Sequence, residues 1–139
     1  MKQGARLAAP GIRLTIGWLS LFAATGVGEI KVGRQPVVGL LATGDELQEA
    51  GRPLEPSQIY ENNRLGLGLL LEKTGAVPRN YPLVPDTLAA TRAALEGALA
   101  ECDAVITSGG VSVGEHDYVK AALQELGGQQ EFWKVAMKP

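Results

Sequence analysis

The sequence predicts an α/β fold: three layers, α/β/α, around a mostly parallel sheet. Three observations lead there. Short apolar runs suited to strands alternate with longer segments of helical periodicity, the order that builds parallel sheets with helices on both faces. Two of the runs, "VVGLLATG" (37–44) and "AVIT" (104–107), are apolar at successive positions, as in strands buried on both faces. Both lead into loops of glycine, hydroxyl and acid, "TGDE" and "SGGVSVGE", and in such sheets ligands bind beyond the carboxyl ends of the strands. The two loops are therefore expected side by side at one edge.

The elements follow in order. Residues 14–25 read as an apolar helix ending near Gly26, and "EIKV" (29–32) alternates like a short strand. A break at Arg34–Pro36 puts a boundary near Gln35, dividing a leading segment, 1–35, from an α/β domain, 36–139. After the strand at 37–44, the polar stretch 45–57 with Gly51, Pro53 and Pro56 reads as a loop. A helix is expected from about Ile59 to Lys73, with Leu65, Leu69 and Leu70 on one stripe and Gly75 past its end. Gly66 and Gly68 each weaken it by about 1 kcal/mol, which fits positions where the backbone comes close to a neighbour. "VPRNYPLV" (77–84) reads as a strand whose prolines suit a sheet edge. Asp86 is expected to cap a helix running to Cys102, with Leu88, Leu95, Leu99 and Cys102 facing inward. "YVKAALQELGG" (118–128) reads as a helix stopped by two glycines, and "EFWKVAM" (131–137) alternates as a strand does.

Composition narrows the function. The chain has 139 residues, enough for one domain and a short appendage, with 45% apolar and 20% charged residues. A net charge of −2 and the lack of any Lys/Arg cluster argue against a nucleic-acid partner. Cys102 is the single cysteine and His116 the single histidine, so an internal disulfide and a Cys/His zinc site are both excluded. There is no G-x-S-x-G elbow for a serine nucleophile. Lys2, Arg6 and Arg13 ahead of "LTIGWLSLFAATG" look like a secretory leader. The competing reading is a buried helix. The run is too short and too interrupted for a membrane span.

"SGGVSVGEHD" carries the chemistry. Consecutive glycines let backbone N–H groups turn toward a ligand, Ser108 and Ser112 add hydroxyl donors, and a helix starting near His116 points its positive end at the same place. That is an anion or phosphate cradle. It lacks the G-K-[ST] of a Walker loop and the G-x-G-x-x-G of a dinucleotide fold. The bland alternative is a crossover loop. "TGDEL" puts Asp45 and Glu46 at a strand end, where carboxylates beside a phosphate site serve as metal ligands, bases or hydrogen-bond acceptors. Taken alone it is a turn and a cap; facing Glu115 and Asp117 across the edge, either reading stands. Asn62 and Asn63 are surface residues or reach the site from their helix. His116 fits a helix start better than a catalyst, and Cys102 fits core packing.

"VGLLATGDEL", "IYENNRLGLGLLLEKTGA", "ITSGGVSVGEHDYVK" and "FWKVAMKP", in that order from about Pro36 to Pro139, resemble the molybdopterin molybdenumtransferases, the MoeA and gephyrin E-domain family. "LAAPGIRLTIGWLSLFAATGVGEIKV" also resembles the segment leading into that domain, which sets the leader reading aside. The resemblance implies a MoaB/Mog-like, molybdopterin-binding fold and a cytoplasmic enzyme of molybdenum cofactor biosynthesis. Such enzymes insert molybdate into molybdopterin, acting on its adenylylated form with a divalent cation such as Mg2+ and releasing AMP. By motif match, Glu46, Asp86 and Asp117 take the acidic catalytic positions, Asp117 also as metal ligand. Thr43, Gly44, Asp45, Asn63, Ser108, Gly109, Gly110, Ser112, Gly114 and Glu115 take substrate-binding positions. Where the family often has two acids, this chain has Asp86 and Thr87. The resemblance further implies additional domains before and after, a site shared with a neighbouring subunit of a dimer or trimer, and a piece of chain inactive alone. The alternatives are the related molybdopterin adenylyltransferase, which shares the domain, and a non-catalytic assembly module of the same fold. No membrane partner is expected.

Overall fold

The computed structural model describes residues 4–109, 118–132 and 135. Contacts divide the chain into two units, Met1–Arg34 and Gln35–Pro139.

The first unit holds α1, Ile16–Ala24. Trp18 and Phe22 stack one turn apart, ring centroids 6.0 Å apart. The Thr25 hydroxyl donates to the carbonyls of Leu21 and Phe22, closing the last turn. The helix buries none of its residues within the chain, and Ile16 stands 85% exposed. "EIKV" forms no strand. Its alternation has no neighbouring strand to pair with, and alternation alone does not hold a strand.

The second unit is built on β1 (Val37–Ala42), flanked by β4 (Val77–Asn80) and β5 (Ala104–Ser108), all parallel, in the order β4-β1-β5. Val38 opposes Pro78 and Ala104 in register. β4 is an edge, which is where its proline is tolerated. The start of the sheet is pinned by Asp103, whose carboxylate accepts the Val37 N–H at 2.8 Å while its own N–H donates to the Val37 carbonyl.

Helices cover both faces. On one, α2 (Asn63–Thr74) lays Gly68 against Leu40 and Pro78. On the other, Leu41 packs with Val84, with Leu95 and Ala98 of α3 (Leu88–Glu101), and with Ala122 of α4 (Tyr118–Glu125). Leu40 and Leu41 are successive strand residues and so point to opposite faces, and both are essentially fully buried. A second, two-stranded parallel sheet pairs β2 (Leu47–Gln48) with β3 (Ile59–Tyr60), inside the segment expected to be loop and helix.

Several helix faces differ from expectation. α2 starts at Asn63 and turns Leu65, Leu69 and Leu70 outward, burying Arg64 and Gly68 instead. The leucine stripe is real, but the face beside it, lined by glycine, is the one that fits closely on β1. Gly66 touches nothing; Gly68 is at ordinary contact distance from Leu40. Gly75, at φ +92°, stops the helix as expected. α3 is capped by the Thr87 hydroxyl accepting from the Ala90 N–H, so Asp86 is not the cap. α3 buries Thr91, Leu95 and Ala98, leaving Leu99 half exposed. The strand expected at 131–137 falls partly outside the described residues; Glu131, Phe132 and Val135 lie in no strand. No helix of the described residues is long and apolar enough to cross a membrane.

Candidate functional site

The site is the edge where β1 and β5 end. Thr43 follows β1 and its N–H donates to the Ser108 carbonyl at 2.9 Å; on its other side it bridges to Val84. The Gly44 N–H reaches the Val84 carbonyl at 3.2 Å. β1 thus extends past its last regular residue and carries "TGDE" to the same edge as Ser108 and Gly109. Gly109 sits at φ +86°, and a Cβ there would overlap the Thr43 carbonyl oxygen. Only glycine lets the two strand ends approach this closely.

From α2, Asn63 Nδ2 donates to Ser108 Oγ at 2.6 Å. Asp45 Oδ1 accepts the backbone N–H of Asp86 at 3.0 Å, tying the acidic loop after β1 to the turn that enters α3. The Ile59 N–H donates to the Glu46 carbonyl at 2.8 Å, which anchors the backbone beneath Glu46 and leaves the residue exposed. A Cβ on Gly44 would collide with the Glu46 carboxylate, so the acid folds back over that glycine. Thr43 is 3% exposed, and its hydroxyl has no hydrogen-bond partner among the described residues.

Of the site residues expected from the sequence, Thr43, Asn63, Ser108 and Gly109 are brought together, and Asp45 is joined to Asp86. Gly44 and Glu46 follow directly in the same loop. Gly110, Ser112, Gly114, Glu115, His116 and Asp117 lie outside the described residues. Among the described residues no group of three or more His, Cys, Asp and Glu is arranged to hold a metal ion.

Sequence reasoning missed a buried ion cluster beside Asn63. Arg64 Nε donates to Glu61 Oε2 at 2.7 Å, its NH2 to Glu49 Oε1 at 2.8 Å, and its NH1 to the Tyr81 carbonyl. Burial alone would raise the Glu61 carboxyl, but the hydrogen bonds and charge of Arg64 outweigh it and hold the group below its usual value. Burial also works against the charge of Arg64, and Glu49 and Glu61 together raise its pKa above the ordinary one. The cluster lines a cleft of about 500 Å³ with Leu65, Asn80 and Pro82. The signal was present in "ENNR", an acid and an arginine three apart at a helix start. A second group, also missed, lies around the Cys102 thiol: Tyr81 Oη is 3.5 Å from its Sγ and donates to Glu101 at 3.0 Å, and Arg79 pairs with Glu101 at 2.6 Å. The thiol contact, with burial and the Glu101 bond, pushes the Tyr81 phenol up to about 12. Cys102 is only half-buried, so it borders the core rather than filling it.

Comparison with known proteins shows the family. A family described as "Probable molybdopterin binding domain" matches residues 39–139. The chain is 47% identical over its whole length to a molybdopterin molybdenumtransferase of Haemophilus influenzae, covering 34% of that protein. It is 38% identical over 99% of its length to the enzyme of that name from Bacillus subtilis, covering 32% of it. A crystal structure of a molybdopterin biosynthesis MoeA protein from Pyrococcus horikoshii superposes with a TM-score of 0.72 at 30% identity, over 84% of this chain and 28% of that one. The chain thus spans about a third of the length of the relatives it matches.

Proposed function

The chain belongs to the family of probable molybdopterin binding domains, and from that premise we propose that it supplies the pterin-binding part of a molybdenum-insertion enzyme. The reaction is transfer of molybdate to the dithiolene of adenylylated molybdopterin, with cleavage of the phosphoanhydride and release of AMP. Both relatives named above are molybdopterin molybdenumtransferases, which favours insertion over adenylylation or pure assembly.

The observation that carries this reading is the buried Thr43 hydroxyl, without a partner among the described residues, at the edge where Asn63, Ser108 and Gly109 meet. A buried hydroxyl without a partner is costly, and a phosphate oxygen supplies one. Thr43, Ser108, the Asn63 amide and the Gly109 N–H would hold the pterin's terminal phosphate, and by motif match Gly110, Ser112 and Gly114 would share in binding it. Glu46 and Asp86, on loops linked through Asp45, would serve the phosphoanhydride end: one carboxylate takes the proton of an attacking water, the other orients it. Carboxylate oxygens are the donors that Mg2+ prefers, so by motif match Asp117 would serve as ligand to a divalent ion. When bound it would neutralise charge on the phosphoanhydride. Glu115 would hydrogen-bond the substrate beside it. The enzyme would work in the cytoplasm as a dimer or trimer, for which the exposed leucines of α2 offer apolar surface.

Fluorescence titration of the chain with molybdopterin and its adenylylated form, with and without Mg2+, tests the reading. Saturable binding that Asp117→Ala abolishes is expected. Binding unchanged in both Thr43→Val and Asp117→Ala would sink it.

A further inference from the structure

The residue next to Asn63 has no part in the reading above, yet it is among the best-held side chains in the molecule. Arg64 is 7% exposed and reaches three separate stretches of chain: Glu61 just before α2, Glu49 just past β2, and the Tyr81 carbonyl just past β4. Glu61 works twice. Its Oε1 accepts the Arg64 backbone N–H at 2.8 Å, closing the first turn of α2, while its Oε2 takes the guanidinium of the same residue. Neighbouring residues on a helix leave it in directions fixed relative to one another. Pinning Arg64 at three points therefore sets where Asn63 points. Asn63 is the donor that α2 sends to Ser108, at 2.6 Å. Glu49 lies on the same run as Asp45 and Glu46, so the clamp also ties the acidic loop to the helix.

We infer that Arg64 is a positioning residue. Held by Glu61, Glu49 and the Tyr81 carbonyl, it sets the rotation and depth of the α2 N-terminus so that the Asn63 amide meets Ser108. The guanidinium is required because its planar fork serves several acceptors at once, which a lysine ammonium cannot match. The consequence for ligand affinity rests on the pterin-site reading; the geometric claim does not.

Two readouts separate these. In the 15N-labelled, ligand-free chain, the Asn63 side-chain amide, identified by its loss in Asn63→Ala, is expected to be shifted and slow to exchange, and Ser108→Ala is expected to remove both properties. Arg64→Lys and Glu49→Gln should remove them as well. Glu49 has a side chain 49% exposed, so Glu49→Gln keeps the fold even where substitutions of Arg64 do not. In titrations with molybdopterin, Glu49→Gln should weaken binding roughly threefold to tenfold, the loss of about one hydrogen bond, and should have no further effect in an Asn63→Ala background. An Asn63 amide unchanged in folded Glu49→Gln and Arg64→Lys overturns the inference. So does an equal loss of affinity with and without Asn63, which would mean Arg64 only supports the fold. If the wild-type chain binds no molybdopterin, the pterin reading falls, and the amide signal still decides the role of Arg64.

Discussion

Helix α2 and the strand-end edge are both rich in glycine, and the glycines there do opposite things. On α2, Gly66 faces open space and Gly68 has ordinary contacts with Leu40 and Pro78, so a methyl group fits at either position. At the edge, a methyl on Gly109 would overlap the Thr43 carbonyl oxygen, and one on Gly44 would strike Glu46. Polar residues divide the same way. α2 turns three leucines outward and an arginine inward, with every buried contact of that arginine matched by an acceptor. The edge buries Thr43, whose hydroxyl has no hydrogen-bond partner among the described residues. The helix is a finished structural joint; the edge, on the reading proposed above, is where a ligand would supply the partner.

The largest effect is expected where the joint is broken. Arg64→Met leaves Glu61, whose side chain is 4% exposed, without its partner, and should cost about 3–5 kcal/mol in denaturant unfolding. A cost under about 1 kcal/mol would mean the cluster is far better solvated than its burial suggests. Gly109→Ala comes next, at about 3 kcal/mol from the clash and the left-handed backbone, with loss of molybdopterin binding. Gly39→Ala, which sets a methyl 3.2 Å from the Tyr81 ring and 3.3 Å from the Cys102 sulfur, should cost about 1–2 kcal/mol. Gly66→Ala is the counter-test on the helix: it should stabilise the chain by about 0.5–1 kcal/mol and leave ligand binding alone.

Acid sharpens the comparison further. The Glu61 carboxyl is held below the ordinary glutamate value in the folded chain, so its contribution is fully present above that ordinary value and is lost as pH falls through the lowered one. Wild-type unfolding free energy should fall with acid across that window. Glu61→Gln should lose part of this slope, measured as the difference between denaturation curves at neutral and acid pH.

Much of this was legible in the sequence. β1, "VVGLLA", showed as an unbroken apolar run and is buried on both faces, and the order of elements gave the parallel sheet; "AVIT" looked the same, yet β5 leaves Ala104 exposed and its other residues only half-buried. The meeting of the "TGDE" loop with Ser108 and Gly109 followed from that order, because parallel strands end at the same edge. What could not be read was rotation. Leu65, Leu69 and Leu70 form a helical stripe whichever way it faces, and the structure turns it outward, with Arg64 and Gly68 on the buried side. Asp86 and Thr87 both suit a helix start. The choice of Thr87 as cap depends on Asp45, 41 residues earlier, engaging the Asp86 N–H. Nothing in the sequence singled out Arg64, because its partners Glu49 and Tyr81 are distant along the chain.

The pinning of β1 by Asp103 also bears on how the protein is made. Val37 leaves the ribosome 66 residues ahead of the residue that fixes it. Until the first crossover is built β1 has neither neighbour, and until the second is built it lacks β5. Sheets closed by such distant pairings form slowly, and an unpaired, uncharged β-rich run is a template for the wrong partner. The segment that organises the finished domain is therefore also the one most open to misassociation during synthesis, and slower translation or lower temperature should raise soluble yield more than any change at the ligand edge.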